Sequence, residues 1–512
     1  MNFTKIFAKA LPLSLILTLL LLALMPAAPV LAATFDLTGS CPGGVGDVAA
    51  LVAALNAANA NGEADTLTLA DNCVYTLTAI DNGDNGLPQV TSQITLDGNG
   101  STIQRGSGAP AFRIFQVGDA GSLTLNDLTL QNGETNYGGG ILNTGALTLN
   151  RTTIRNNTVN WFGGGLANLG GTVVANECSI SGNTSGDGSA GAYNDDGPLS
   201  LTDCTISDNT AARDGAGIET YFDMTITDST FSNNRANGDG SFGEGRGGGL
   251  WVEDGHVEII NSTFSGNFGE TAGAIFYGVE PFDSSLTLTN VTLYNNSSGI
   301  FLAFGLEVSY RNSIIAGNTG YDCSGEDDPA LFTSLGYNLL GSGGGCPGGG
   351  TGDQTTTDPR LAALADNGGP TRTHALLADS PALDAIPAAN CAVSTDQRGV
   401  SRPQPAGGLC DVGAFELSDT EFPVVTGSDP SNGVTLTTGP STITVNFSED
   451  VKNDGSAGAA NNPANYLLVR TGRTAFSTPR PAWAGWSRTT CGRRSARLPT
   501  PTTAGAVLTR PR

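Results

Sequence analysis

The sequence predicts an all-β fold, a right-handed parallel β-helix in which successive coils of the chain stack into a solenoid. An apolar anchor residue recurs every 22–33 residues through the middle of the chain. A glycine cluster followed by an aliphatic residue recurs between these anchors, and the short alternating strands show no helical periodicity. Because strands this short cannot bury a face alone, they must share an interior with their neighbours.

The composition narrows the class of protein. The 512 residues include 71 glycines, and 48 acidic residues against 24 Lys and Arg give a net charge of −24. An apolar fraction of 39% argues against disorder, and glycine lacks the three-residue period of collagen. Nucleic acid requires a basic footprint, so the acidic balance predicts no nucleic-acid partner and disfavours anionic membranes.

Residues 1–33 are predicted to be a secretory signal peptide. Lys5 and Lys9 precede an apolar run from Ala10 to Met25, and small residues around Ala32 suit cleavage. The run is shorter than the roughly 20 residues of a membrane span. We therefore expect a secreted or cell-surface chain with no transmembrane segment after signal removal, an uncleaved anchor being the alternative.

The chain has nine cysteines, and an exported protein can form disulfides. Their order suggests three local pairs, although sequence does not determine connectivity: Cys41–Cys73, Cys323–Cys346 and Cys391–Cys410. Cys178 and Cys204 hold the same repeat position and are expected to stack. Their spacing suits a disulfide but parallel side-chain directions do not, so a bridge and buried free thiols both stay open.

The repeat has two registered signals. The anchors are Ile103, Leu130, Ile154, Ile180, Ile206, Phe231, Phe264, Leu293 and Ile315. An asparagine follows three places later in seven coils, at 157, 183, 209, 234, 267, 296 and 318. Parallel strands lie about 4.8 Å apart, so these amides are expected to stack at a bend, while glycines such as Gly163 allow the corners. A β-sandwich array or a propeller is the alternative, but propeller blades need about 40 residues or more.

Several motifs resemble known families. Phe231-Ser-Asn-Asn234 resembles the FxxN repeats of polymorphic outer-membrane proteins, which act in adhesion. The helical pattern from Gly46 to Asn59, followed by Ile94-Thr-Leu-Asp-Gly-Asn99, is similar to CSLREA-type secreted β-helix proteins and implies a helix that caps the first coil. Asp396-Gln-Arg-Gly399 resembles part of the choice-of-anchor Q region. Together these imply a surface-exposed β-helix of unassigned activity.

The end of the chain has a different character. The segment Ile443-Thr-Val-Asn-Phe-Ser-Glu-Asp450 resembles the first strands of an SbsA-type bacterial Ig-like domain, and nine arginines with no acidic residue follow Val469. We interpret the tail as a frameshifted end, with a basic tail for anionic glycans as the alternative. The predicted regions are 1–33 signal peptide, 34–93 N-terminal cap, 94–342 β-helix repeats, 343–418 choice-of-anchor Q-like region, 419–469 truncated Ig-like segment and 470–512 arginine-rich tail.

Parallel β-helices host polysaccharide lyases and hydrolases, so catalytic groups must be considered. A lyase base is usually Lys or Arg, and a hydrolase needs two suitably spaced carboxylates. The outward candidates are Arg151, Arg155, Arg213, Arg235 and Arg246. No single coil gathers an arginine with several acids, so no catalytic residue is predicted.

Two surface columns follow the second anchor. Strand alternation points Tyr193, Trp251, Phe276 and Phe301 outward, which predicts an exposed aromatic strip suited to sugar faces. The alternative is that these rings are buried, or covered by the insertion at 233–246. The second column is acidic and predicts a Ca²⁺ site, with solvated loop acids as the alternative; its members are Asp195, Asp196, Asp223, Glu253 and Asp254.

These observations predict a secreted or cell-surface protein that acts in adhesion or in binding a surface glycan or protein partner, without catalysis. A polysaccharide lyase or glycoside hydrolase on the same scaffold is one alternative, and a structural surface-layer component is another. An acid pair and an arginine converging in a groove would favour the enzyme.

Overall fold

The computed structural model describes residues 32–238, 244–278, 284–303, 307–326 and 331–418, and five strands beyond them. The predicted signal peptide lies almost wholly outside the described residues. Two compact units divide the chain, Met1–Ser418 and Asp419–Arg512.

An α-helix, α1 (Val48–Asn61), precedes the first long strands. The Asp47 carboxylate caps its N-terminus by accepting the Ala50 N–H at 3.0 Å, and Gly62 ends it in the left-handed conformation. Leu51 and Leu55 are buried against the start of the solenoid. The helix therefore covers the first coil, where the cap was expected. Two short 3₁₀ helices lie at Pro42–Gly44 and Ala388–Asn390.

Each complete coil runs through three parallel sheets, which we number 1 to 3 in the order in which the chain visits them. Within the described residues, sheet 1 has 22 strands, two from most coils: Thr34–Leu37, Asp65–Leu69, Val74–Leu77, Gln93–Arg105, Ser122–Gln131, Ala146–Asn150, Thr153–Arg155, Thr172–Asn176, Ser179–Ser181, Leu199–Thr202, Thr205–Ser207, Met224–Thr227, Thr230–Ser232, His256–Ile260, Thr263–Ser265, Ser285–Thr289, Thr292–Tyr294, Val308–Arg311, Ile314–Ile315, Phe332–Gly336, Leu339–Gly341 and Gln354–Thr356.

Sheets 2 and 3 are narrower. In the same described segments, sheet 2 has six strands: Glu134–Tyr137, Thr158–Phe162, Thr184–Ser185, Thr210–Ala211, Arg235–Ala236 and Phe268–Gly269. Sheet 3 has nine: Phe115–Val117, Ile141–Asn143, Leu166–Leu169, Ala192–Asp196, Ile218–Thr220, Leu250–Val252, Ile275–Tyr277, Ile300–Leu302 and Cys323–Gly325. The predicted all-β parallel β-helix is confirmed, and its parallel pairing begins before residue 94 and continues past residue 342.

The nine predicted anchors form one continuous interior column. Each pairs in register with the next along sheet 1, from Ile103 with Leu130 to Leu293 with Ile315. All nine are buried in the main hydrophobic core, and Phe231 and Phe264 stack with ring centroids 4.6 Å apart. The period read from the sequence is therefore the period of the coils.

The asparagines three places after the anchors form a ladder at a buried bend. From Asn157 to Asn318, each side-chain Nδ2 donates to Oδ1 of the next coil at 2.9–3.0 Å. The ladder ends where Asn318 donates to Asp322. A shorter ladder that was not anticipated joins Asn143, Asn168 and Asn194 to Thr220 inside sheet 3.

Cys178 and Cys204 are buried free thiols, which decides between the two readings of this pair. They belong to a column of small polar side chains in which each accepts a backbone N–H from the preceding coil. Cys204 Sγ accepts Cys178 N–H at 3.4 Å, and Ser229 Oγ accepts Cys204 N–H at 3.0 Å. Cys204 and Ser229 each also donate a side-chain hydrogen bond to the backbone carbonyl two residues earlier. The cysteines therefore fill serine-like positions.

Serine at position 204 is expected to preserve this column. Cys204→Ser keeps an acceptor for Cys178 N–H, so its free energy of unfolding should stay within about 1 kcal/mol of the wild type, whereas Cys204→Ala should cost about 1–3 kcal/mol because that buried N–H loses its acceptor. Urea unfolding of the two variants measures the difference. Equal stabilities of the serine and alanine variants would contradict the role of the thiol as an acceptor.

The structure contains the three disulfides suggested by the order of the cysteines: Cys41–Cys73, Cys323–Cys346 and Cys391–Cys410. Cys41–Cys73 ties the capping region to the first coils, and Cys323–Cys346 ties the last strand of sheet 3 to the following loop. Cys391–Cys410 lies in the region after the coils, where Ile386–Pro387 and Leu409–Cys410 form a two-stranded antiparallel sheet.

The region after the last coil folds back over the outer face of sheet 1. Gln397 Nε2 donates to Thr230 Oγ1 at 2.8 Å, its Oε1 accepts from Thr263 at 2.6 Å, and a His374 ring nitrogen lies 2.8 Å from Ser265 Oγ. Inside this region Arg402 and Glu416 form a fully buried ion pair at 2.7 Å. The motifs that resemble the choice-of-anchor Q region therefore line an internal packing surface.

The second unit is described only by its strands. Val425–Asp429, Thr442–Phe447 and Ser495–Pro499 form an antiparallel sheet, and Leu467–Arg470 pairs with Ala506–Thr509. The Ig-like segment and the frameshifted tail remain predictions. Within the described part of the chain, no helix combines the length and apolar character needed to cross a membrane.

Candidate functional site

A turn on the outside of the coils, which we call the corner, separates sheet 2 from sheet 3. The chain turns there in the left-handed conformation, at Gly215 and Gly247 among others. A Cβ on these two glycines would lie 2.9 Å from Glu219 Cβ and 2.8 Å from Trp251 Cβ. The outward side chains of sheet 3 therefore lie directly against the backbone of the turn, and only glycine leaves room for them.

An aromatic row runs along this corner from coil to coil. Trp161 contacts Tyr137 edge to face at 5.1 Å, Phe162 stacks on Tyr193 at 5.0 Å, and Tyr193 meets Tyr221 at 5.9 Å. Tyr137 and Phe162 also stack at 6.1 Å, which makes this half of the row continuous. Trp161 is 46% exposed and the other four rings are half-buried. This half, which we call the open half, can reach a ligand.

The other half of the row is covered. Trp251 contacts Phe276, which stacks on Phe301 at 5.5 Å, and Phe301 contacts Tyr321. The Arg246 guanidinium lies 5.2 Å from the Trp251 ring centroid and 5.5 Å from that of Phe276.

The expected exposure is wrong for Trp251 and Phe276, which are 7% and 4% exposed, while Tyr193 and Phe301 are half-buried. The predicted outward direction is right, because these rings form a cluster separate from the interior core. Trp251 is buried because it packs against the backbone of the turn at Gly247, and Arg246, from the 233–246 insertion, covers both Trp251 and Phe276.

A polar centre lies between the two halves of the row. Glu219 is 1% exposed and accepts a hydrogen bond from Ser189 Oγ. Asp214, also buried, accepts the Arg246 backbone N–H at 2.8 Å. Burial raises the pKa of Glu219 to about 8 and that of Glu253 to about 7, and the charge of Arg246 opposes the rise at Glu253. The charges of Asp214 and Glu253 raise the pKa of Glu219 further, and the charge of Asp214 also raises that of Glu253.

Sequence reasoning missed this convergence of Asp214, Glu219, Glu253 and Arg246. The candidate arginine Arg246 was named, but Glu253 lies one coil beyond Asp214 and Glu219, and the arginine comes from an insertion whose register the period does not give. Arg213 is ion-paired with Asp187 at 3.2 Å and Glu244 at 2.6 Å, and Arg151 with Asp127 at 2.7 Å. Arg155 bonds Gln131, and Arg235 stacks on Phe268.

The acidic column borders the same corner. Asp195 and Asp196 are exposed at the end of a sheet 3 strand, and Glu253 and Asp254 follow the strand two coils later. Asp223 accepts the His256 N–H at 2.9 Å in a turn. Among the described residues, no group of three or more His, Cys, Asp or Glu is placed to hold one metal ion. The Ca²⁺ site remains a prediction without a ligand set in this part of the chain.

Comparison with known proteins agrees with this architecture. A family model described as the right-handed beta helix region matches residues 113–278 and 186–334. Among solved structures, the chain is similar to one titled "Crystal structure of pectate lyase Pel9A", with 15% identity, a TM-score of 0.44, and coverage of 76% of this chain and 97% of that chain. No curated protein matches the chain. The strand pairing and the family model together identify a right-handed parallel β-helix.

Proposed function

We propose that this chain is a secreted or cell-surface β-helical protein that binds carbohydrate, without cleaving it, along the open half of the aromatic row. The observation that carries the proposal is the unbroken contact of Tyr137, Trp161, Phe162, Tyr193 and Tyr221 over successive coils. Trp161, the most exposed of these rings, can stack on a sugar ring, and the rings that pack beside it extend the apolar surface along the coils. The three disulfides support an oxidising, extracellular setting.

Carbohydrate suits this surface better than an apolar partner does. Sugar rings present apolar faces for aromatic stacking and hydroxyl groups for the polar side chains beside them. Asn160 and Asn136 line the exposed edge next to Trp161 and bond each other at 2.8 Å. Their amides can exchange that exposed bond for bonds to sugar hydroxyls. Adhesion would follow if the glycan belongs to a cell surface.

Trp161 is expected to dominate this binding. Trp161→Ala should weaken binding to the oligosaccharide that ranks first on a glycan array about tenfold or more, because truncating an aromatic hot spot costs about 2 kcal/mol. Isothermal titration calorimetry with that oligosaccharide measures the change. Phe222→Ala is the matched control, since Phe222 is 37% exposed and belongs to no ring contact of the row. Equal affinities of the two variants would contradict the proposal.

Glycosidic-bond cleavage is a second candidate, favoured by the convergence of Asp214, Glu219 and Glu253 with Arg246. Acids with raised pKa values beside an arginine suit proton transfer. Glu219 and Asp214 are buried, however, which leaves Glu253 as the accessible carboxyl of the three. Shortened oligosaccharides in the calorimetry mixtures, detected by mass spectrometry, would favour cleavage over binding alone.

A further inference from the structure

We propose that the corner selects cationic amino-sugar oligosaccharides over neutral and anionic ones. This inference rests on the proposed function and names its ligand class. It follows from the side-by-side placement of the aromatic row and the acidic column, which sequence analysis treated as two unrelated sites.

The two columns share one face. Residues two apart on a strand point the same way, about 7 Å from each other. Asp195 follows Tyr193 by two positions and bonds its hydroxyl, and Glu253 follows Trp251 by two. A sugar stacked on the row therefore lies within reach of carboxylates along its edge. An ammonium group is attracted both by those carboxylates and by the faces of the rings.

The corner already binds one cation of its own. The Arg246 guanidinium lies over Trp251 and Phe276. These two contacts belong to the covered half of the row. The open half, from Tyr137 to Tyr221, has the same kind of ring and no cation–ring contact among the described residues. A ligand ammonium can supply there what Arg246 supplies in the covered half.

The polar centre shows the same pairing of ring and carboxylate in the covered half. Trp251 is more than nine-tenths buried, and its indole N–H lies beside the Glu253 carboxyl and favours the charged form of that acid. The acid that follows an outward ring by two positions is therefore within reach of that ring in both halves of the row.

Anionic glycans are disfavoured by the same charges. The sequence has no lysine between residues 10 and 451, and Arg213 at the corner is paired with Asp187 and Glu244. A uronate chain on the row would bring its carboxylates close to Asp195, Asp196 and Asp254. Like charges at that separation repel.

The test compares three hexasaccharides of matched length by calorimetry at a mildly acidic pH, where the amine is protonated: glucosamine, N-acetylglucosamine and galacturonic acid. We expect the glucosamine hexamer to bind about tenfold more tightly than its acetylated form, and the galacturonate hexamer to bind least. Only the affinity for glucosamine should fall as salt is raised, because salt screens exposed charges.

Asp195→Asn keeps an acceptor for the Tyr193 hydroxyl while removing the charge. It should lower glucosamine affinity about two- to fivefold, the usual effect of an exposed ion pair, without changing N-acetylglucosamine affinity. Glu258→Gln, an exposed acid on sheet 1, is the control. Equal binding of the amino and acetylated hexamers, or no effect of Asp195→Asn, would overturn the inference. Sensitivity of the acetylated hexamer to Trp161→Ala would then still support the proposed function.

Discussion

Replacing Asn209 by alanine is expected to lower the free energy of unfolding by about 4 kcal/mol. The Asn209 side chain is fully buried at the middle of the asparagine ladder. Its Oδ1 accepts both the backbone N–H and the side-chain Nδ2–H of Asn183 at 3.0 Å. Its Nδ2 donates to Asn234 Oδ1 and to the Ile180 carbonyl, both at 2.9 Å. Alanine leaves several of these groups buried without a partner, and each costs about 1–3 kcal/mol.

Urea unfolding followed by circular dichroism measures this loss. Asn160→Ala is the matched control, because Asn160 also bonds an asparagine one coil away but does so in solvent. Removing that exposed bond should change the free energy of unfolding by less than about 0.5 kcal/mol. A loss below about 1 kcal/mol in Asn209→Ala would mean that neighbouring amides repair the ladder. Asn209→Asp should be at least as destabilising as alanine, because a buried aspartate oxygen would face the Asn234 Oδ1 and the Ile180 carbonyl, which are both acceptors.

The ladder illustrates what the sequence can predict about this fold. An asparagine three places after seven of the nine apolar anchors indicates a bend of constant geometry, since stacking places equal positions of successive coils about 4.8 Å apart. The same logic places Ile206 inside and Cys178 beside Cys204. These predictions depend only on the period and on strand alternation, and both are local properties of the chain.

The candidate site depends on features that the period does not contain. Strand alternation gave the correct direction for Trp251, but whether an outward ring is exposed depends on what lies opposite. At Trp251 the backbone of the turn at Gly247 lies against the side chain, and Arg246 lies over the ring. Arg246 belongs to an insertion, so no repeat register predicts its position. The contact of Gln397 with Ser229, 168 residues away, is equally invisible to a local pattern.

The Glu219→Gln variant is expected to be more stable than the wild type at alkaline pH and about equally stable at acidic pH. Burial raises the pKa of Glu219 to about 8 from an ordinary value of 4.5. Between these two values the folded protein keeps a proton that the unfolded chain releases, so stability falls as pH rises through this window. The wild type therefore has its full stability below the unfolded pKa of Glu219, and the loss of stability is complete above the folded pKa. The full loss is on the order of 5 kcal/mol.

Glutamine is neutral throughout this range and can still accept the Ser189 hydroxyl bond. Burial also raises the pKa of Asp228 and Glu416 to about 7, which adds the same sign of pH dependence to both proteins and cancels in their difference. The difference in unfolding free energy, measured by urea titration from mildly acidic to alkaline pH, therefore reports residue 219 together with its coupling to the Glu253 charge. Glu258→Gln should follow the wild-type profile, because that carboxylate stays in water. Parallel profiles for Glu219→Gln and the wild type would mean that Glu219 is ionised in the folded protein, and that the polar centre of the corner carries one more negative charge at neutral pH than burial predicts.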